Sequence, residues 1–441
     1  MKSMPLWGMI LWYSLAAAQT GNRLTLEDAI RIGREQNRLL KISTARIDAA
    51  SAKESAARAA LLPTLIFEGS YNRLSDVDPF RIVVPAFPQP ITIAPAVLEN
   101  YAMRFTLRQP IFTGFKLQSN ARAAEYLARA SAAENENDRS DLTLTITTAY
   151  WTMYQAIEAR KFADENAARL LSYQRDTENL LKAGMATRND LLKIMVQVNN
   201  ARLGAIDAKN DAEVATMNLN IVMNKPLDSA IELASSPGDT SERPIEGSLD
   251  TLTRKALEAR PDLQAMQARL QASEAAVSAA EGNYWPQVFL SGNFYYNRPN
   301  LRYQPTRDEF KSTWDVGVAV EFDLWNWGAT SSRATEARAA ATQTRLLYDQ
   351  MKDNIGLEIR RNYLAAERGR EKVKIAALAI DQAEENARTT RDKFRNGLAT
   401  STDVVDAGAA VLQSRTNLAA ALVDREVANA RLQRSVGERP E

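Results

Sequence analysis

The 441-residue chain contains no histidine and no cysteine. Those two absences remove imidazole acid–base catalysis, thiolate nucleophiles and the usual zinc and copper ligands. No disulfide can hold the fold, and no cysteine is available to carry a lipid. An excess of charge of one sign is missing too: 55 Lys and Arg stand against 54 Asp and Glu. A near-neutral chain offers little to nucleic acid, whose binding rests on releasing counterions from phosphate. Beyond the N-terminal segment no stretch approaches the ~18 uncharged apolar residues of a membrane-spanning helix. No glycine-rich phosphate loop and no isolated polar cluster marks a catalytic site. The expectation is a protein with no catalytic residues, no metal and no cofactor.

What is present starts with a targeting pattern. Lys2 is the only charge before Arg23, Met4 to Leu15 is mostly apolar, and Ala16-Ala17-Ala18 precedes Gln19. Residues 1–18 therefore read as a secretory signal peptide, although a buried N-terminal helix would share the apolar run.

An internal repeat organises the rest. Leu61-Leu62-Pro63-Thr64-Leu65 matches Tyr284-Trp285-Pro286-Gln287-Val288, an offset of 286 − 63 = 223. Ile111-Phe112-Thr113-Gly114 matches Trp325-Asn326-Trp327-Gly328, with 328 − 114 = 214, and Gly184 to Asp190 matches Gly397 to Asp403, with 397 − 184 = 213. The offset falls by nine between the first two matches and by only one after that, so a loop between Pro63 and Gly114 is longer in the first copy. The copies are 19–224 and 248–441, with matching cores over 23–224 and 248–437. Residues 225–247, punctuated by Pro226, Pro237, Gly238, Pro244 and Gly247, link them.

Each copy reads as helix, two strands, a long helix and a further helix. Thr25 to Leu62 is proline-free and opens on a capping box, Thr25-Leu26-Glu27-Asp28. Phe115 to Ala183 is also proline-free and spans ~100 Å at the ~1.5 Å rise of an α-helix. Thr187 to Asn224 follows. The second copy places helices at Leu249 to Tyr284, Ala329 to Asn396 and Thr400 to Val436. Helices this long suggest coiled coils, so a filamentous rod of the periplasm or cell surface is an alternative.

The strands argue against a rod. Tyr101, Met103, Phe105 and Leu107 alternate with Ala102, Arg104, Thr106 and Arg108. Trp314, Val316, Val318 and Val320 alternate with Thr313, Asp315, Gly317 and Ala319. Val288, Leu290, Gly292 and Phe294 form a third set, and Leu65, Phe67, Gly69 and Tyr71 the weakest. Two-faced runs of ~10 residues match membrane-barrel strands, although a half-buried strand of a soluble sheet has the same period. Four strands cannot close a barrel, and an open edge cannot face lipid. If the strands span a membrane, several chains share one barrel. The loops Asn72 to Leu98 and Asn297 to Lys311 then lie outside.

In this order of elements, the doubled unit, the opening Leu24-Thr25-Leu26-Glu27-Asp28-Ala29 and the two glycine turns, the chain resembles the TolC-type outer-membrane efflux proteins. The resemblance covers the whole mature chain. It implies a fold of mixed α and β, mostly α: an outer-membrane β-barrel continued by a long periplasmic α-helical barrel, shared by a homotrimer. It implies the exit channel of a tripartite efflux or type I secretion system. Its partners would be a periplasmic adaptor, an inner-membrane transporter and outer-membrane lipid, with no nucleic acid and no cofactor.

By the same resemblance, the turns Gly184-Met185-Ala186-Thr187 and Gly397-Leu398-Ala399-Thr400 form the periplasmic tips where the adaptor docks. Asp403 and Asp406 match the acidic pair lining the entrance, and Asp190 a residue that latches it closed. Thr187-x-x-Asp190 and Thr400-x-x-Asp403 read equally as capping boxes. Asp406 lies past the cap on the same face as Asp403. The chain departs from the family's latch: Phe394 stands where tyrosine is expected and Ala399 where arginine is expected. Arg188, near the first tip, is the candidate replacement, unless it is simply an exposed tip arginine.

Overall fold

The structure, a computed structural model, describes residues 23–83, 85–86, 88–94, 96–238 and 247–438. The expected signal peptide, Pro95 and Pro244 lie outside the described residues. In chain order the elements are β1 (Arg23–Leu24), α1 (Leu26–Gln36), α2 (Arg38–Ala59), β2 (Thr64–Arg73), β3 (Phe80–Ile82), β4 (Ile91–Ala94) and β5 (Glu99–Phe112). Then come α3 (Lys116–Lys182), α4 (Arg188–Val222), β6 (Glu232–Leu233), α5 (Leu249–Ala259), α6 (Pro261–Glu281), β7 (Gln287–Arg298), β8 (Lys311–Glu321), α7 (Ala329–Arg395) and α8 (Ser401–Val436). The long helices α3 and α7 are continuous at 67 residues each. None of the described helices is long and apolar enough to cross a membrane.

Three expectations need correction. The helix expected over Thr25–Leu62 breaks at Asn37. That residue is extended; its side-chain Nδ2 donates to Val222 O at 2.8 Å, and its side-chain Oδ1 accepts from Leu39 N at 2.7 Å. One asparagine thus ends α1 and caps α2, a role its short polar side chain suits. The helix expected over Leu249–Tyr284 breaks between Arg260 and Pro261. Proline forces its predecessor out of the helical region and is itself suited to a first helical turn, and Arg260 is extended accordingly. The loop Asn72–Leu98 is not irregular throughout, since β3 and β4 pair within it.

The described residues form two compact units. The first comprises residues up to Leu40, Asp138–Glu258 and Gly356 onward. Its core joins Ala29 and Ile30 of α1, Ile146, Tyr150, Trp151 and Met153 of α3, Leu219 of α4 and Val423 and Val427 of α8. The rings of Tyr150 and Trp151 meet edge to face at 5.1 Å, and both are fully buried. Burial of side chains this size contributes about 1.5–3 kcal/mol each. The link after α4 is fastened here. β6 pairs in parallel with β1. The Tyr150 hydroxyl donates to Leu24 O at 2.9 Å and accepts from Ser235 N at 3.0 Å. Asn220 donates to Leu227 O and Ser229 O at 3.0 and 2.9 Å.

The second unit comprises Lys41–Asn137 and Ala259–Ile355. Its centre is an antiparallel sheet in the order β2-β5-β7-β8. The alternation read from sequence sorts its two faces. On one, Phe67, Phe105, Phe294 and Trp314 stand in a cross-strand row. The Phe67–Phe105 and Phe105–Phe294 ring centroids are 4.9 and 6.4 Å apart. On the other, Arg104 lies 3.8 Å from Glu68 and donates to Asn293, which donates to Asp315 at 2.8 Å. The apolar face is open: Leu65 is 70% exposed and Val318 67%. β2 and β8 are edges with no further strand among the described residues. At the helical end of the sheet, the turn between β5 and α3 presses its Gly114 backbone against Gly282 and Trp285. That turn has two left-handed residues, Gly114 and Phe115 (φ 60° and 62°), and the turn before α7 has Trp327 and Gly328 (53° and 79°).

Candidate functional site

The sequence-predicted site residues gather where α3 turns into α4 and α7 into α8, all within the first unit. Both turns are built alike. Gly184 and Gly397 have φ of 74° and 72°, a region that costs side chains other than glycine energy. Gly184 N donates to Leu181 O and Met185 N to Leu180 O, at 3.1 and 2.8 Å. Gly397 N donates to Phe394 O and Leu398 N to Lys393 O, at 3.0 and 2.8 Å. These bonds satisfy the last carbonyls of α3 and α7 and reverse the chain. Met185 and Leu398 are left exposed at the turn apices.

The next helix in each case starts on a complete capping box. Thr187 caps α4: Asp190 N donates to its hydroxyl, while the Asp190 carboxylate accepts from Thr187 N at 3.0 Å. Thr400 and Asp403 repeat this on α8, with 2.8 Å from Thr400 N to the carboxylate. Hydrogen bonds from the Thr187 side chain and backbone hold the Asp190 carboxyl below the ordinary carboxylate value, and bonds from Thr400 do the same for Asp403. Hydrogen bonding to the charged form is the cause in each case.

Beyond the caps the two acids of the first turns differ. Asp190 is half-buried, and its second oxygen accepts from Ser401 Oγ at 3.1 Å. This bond ties the start of α4 to the start of α8. Asp403 and Asp406 are both exposed. Spaced by three on α8, they lie on one face. Asp406 has no hydrogen-bond or ion-pair partner among the described residues. Phe394 is half-buried against a cluster of Leu170, Tyr173, Ile194, Val198 and Val404. Arg188 is exposed, and among the described residues it meets no carboxylate. Ala399 is half-buried in the second turn.

Two connections were not legible in the sequence. Arg391 Nε of α7 donates to the Tyr173 hydroxyl of α3 at 3.1 Å, with its guanidinium 5.7 Å from the ring centroid. Arg415 of α8 meets Glu165 of α3 at 2.9 Å and Glu384 of α7 at 2.7 Å. With Ser401–Asp190 they join the α3–α4 pair to the α7–α8 pair. Charged and hydroxyl side chains on long helices occur too often for any spacing to single these out; only packing selects them. Among the described residues, no group of three or more acidic side chains is placed to hold a metal ion.

Comparison with known proteins accords with this architecture. A family model described as outer membrane efflux protein matches residues 30–225 and 252–438. The alkaline protease secretion protein AprF of Pseudomonas aeruginosa is 22% identical over 380 residues, covering 85% of this chain and 76% of AprF. The outer membrane efflux protein BepC of Brucella suis is 22% identical over 324 residues, covering 71% of this chain and 69% of BepC. Among solved structures, the outer membrane protein VceC of Vibrio cholerae superposes with a TM-score of 0.79 at 17% identity, covering 94% of this chain and 97% of VceC.

Proposed function

Because the chain belongs to the outer membrane efflux protein family, whose members are outer-membrane channels and not enzymes, we propose that it is the passive exit duct of a tripartite efflux or type I secretion system. The observation that carries this reading is the four-stranded sheet. It has one open apolar face, one charged and polar face, and two unpaired edges. In lipid each unsatisfied backbone group costs several kcal/mol, so such a sheet must close on itself or on copies. Four strands are too few to close alone. Three copies would supply twelve, with apolar faces toward lipid and polar faces toward a lumen. On this reading the chain is two copies, 19–224 and 248–441, joined at 225–247 and exported by a signal peptide at 1–18. α3, α4, α7 and α8 continue the duct into the periplasm, where an adaptor and an inner-membrane transporter deliver cargo. The names of AprF and BepC fit protein secretion and efflux respectively.

The paired turns are the gated entrance. Met185 and Leu398, exposed beside Ala186, Thr187, Ala399 and Thr400, give the adaptor an apolar foothold at each tip. Asp403 and Asp406 supply six carboxylates around a trimeric opening, a ring that favours cations and binds multivalent ones. Ser401–Asp190 and Arg391–Tyr173 hold the pairs together, in the role left vacant by Phe394 and Ala399. Arg188, with no partner among the described residues, is available to a neighbouring copy. The test is single-channel recording of the reconstituted protein with and without a trivalent cation. The wild type should conduct and be blocked; Asp403→Ala with Asp406→Ala should conduct and resist block. Unchanged block would remove the carboxylates from the constriction, and no conductance at all from the wild type would remove the channel.

A further inference from the structure

The sheet contains its own template for the joint between copies. The two hairpins have the same register: Phe67 opposes Phe105 in β2–β5, and Leu290 opposes Val318 in β7–β8. The first pair maps onto the second with 290 − 67 = 223 and 318 − 105 = 213. The first value is the offset of the Pro63–Pro286 match in the repeat; the second equals that of the Gly184–Gly397 match and is one below the 214 of the Gly114–Gly328 match just past β5. β5 and β7 form the joint between the two hairpins inside one chain. β8 and the β2 of a neighbouring copy are the same two strand types meeting again. Every pairing in the sheet is antiparallel, so β8 runs opposite to β2 and the next pairing is antiparallel as well.

We infer that copies of this chain join by pairing β8 of one with β2 of the next in the register that β5 and β7 already use. Phe105 opposite Phe294 becomes Val318 opposite Tyr71 of the neighbouring copy, since 105 + 213 = 318 and 294 − 223 = 71. Leu107 opposite Gly292 becomes Val320 opposite Gly69, and Thr106 opposite Asn293 becomes Ala319 opposite Ser70. The inference rests on the shared-barrel reading above and adds its register. The faces agree: Val318, Val320, Tyr71 and Gly69 all belong to the apolar set, and Ala319 and Ser70 to the polar set. A slip of one residue would turn every apolar side chain of one strand into the lumen.

The register also brings Glu321 opposite Glu68 of the neighbour. Each carboxylate already has an arginine of its own chain, Arg108 at 3.4 Å and Arg104 at 3.8 Å. One arginine thus stands on each side of the facing carboxylates, which offsets the repulsion of like charges set directly opposite. The match stops below the strands. Gly114 and Gly282 touch backbone to backbone inside the chain. The repeat match gives Gly328 and Ala59 of the neighbour as their counterparts at the joint, so one side chain stands where the chain itself has two glycines. Trp327 is 89% exposed, with Trp325 5.7 Å away edge to face. The two joints therefore share their strand register and differ at the helix ends, where Gly282 has Ala59 as its counterpart.

The absence of cysteine makes the register measurable without background. Directly opposed antiparallel residues lie about 4.5–5.5 Å apart at Cα, within disulfide range; residues displaced by two lie at about 7–8 Å. Three double variants are oxidised in native outer membranes: Ala319→Cys with Ser70→Cys, Gly317→Cys with Ser70→Cys, and Thr106→Cys with Asn293→Cys as the intrachain control. The inferred register predicts that the first yields covalent multi-copy species on a non-reducing gel, that the second yields at least tenfold less, and that the control cross-links without a change in mass. A first pair that stays unlinked, or a second that links as well, overturns the register. The mass of the detergent-solubilised wild type separates the two levels of the argument. A trimer with the wrong cross-link overturns the register alone, whereas a monomer overturns the shared barrel beneath it.

Discussion

Replacing Gly114 with alanine tests the joint between hairpins most directly. Gly114 has φ of +60°, so alanine there enters the left-handed region at a cost of about 1–2 kcal/mol. The added β-carbon would also overlap the Gly282 carbonyl oxygen and lie 2.7 Å from Trp285 Cβ. Backbone is on the far side of that contact, so relief requires the turn or the end of α6 to move, and overpacking of this kind costs about 1–3 kcal/mol. The total is ~2–5 kcal/mol. Gly397→Ala is the reference: its φ is +72° and nothing lies within 4 Å of the added carbon. It should lose only the backbone contribution, ~1–2 kcal/mol. Gly282→Ala checks the sign from the other side. Its φ of −54° is helical, where alanine ordinarily gains about 1 kcal/mol over glycine, yet here the new carbon sits 2.8 Å from Gly114 O. Equilibrium urea unfolding of the detergent-solubilised protein, followed by circular dichroism, gives the three differences. The reasoning fails if Gly114→Ala loses no more than Gly397→Ala, or if Gly282→Ala is stabilising.

Tyr150→Phe should destabilise the first unit by about 1–3 kcal/mol, because it strands the Ser235 amide and leaves Leu24 O with only Ala234 N; amide exchange at Ser235 should rise with it. Ser401→Ala should raise the resting conductance by removing the bond to Asp190. The pH dependence of that bond follows from the lowered Asp190 pKa. A depressed carboxylate stabilises the folded arrangement above its ordinary value of 3.8 and loses that contribution as pH falls through the lower folded value. Resting conductance should therefore stay flat from neutrality down to pH 4 and climb only below the ordinary value; a climb between pH 5 and 7 would refute the assignment.

How far the residues alone reach can be judged element by element. The long helices α3 and α7 were legible because proline is absent from both and glycine closes each one. The four strands were legible because period-two alternation reports which side chain faces which way, whatever lies beyond. The tip caps were legible because Thr-x-x-Asp is a local arrangement, made within four residues of chain. The break at Pro261 follows from the same kind of local rule, since proline forces Arg260 out of the helical region. The break at Asn37 does not, since its amide is held by a carbonyl 185 residues away. Arg391–Tyr173, Arg415–Glu165 and Ser401–Asp190 likewise pair residues 211 to 250 positions apart. So the chain by itself determined its helices, its turns and the two faces of its sheet, because those depend on neighbours within a few residues. Only the tertiary structure decided which of many similar arginines, hydroxyls and glycines meet, because that depends on contacts that no local pattern encodes.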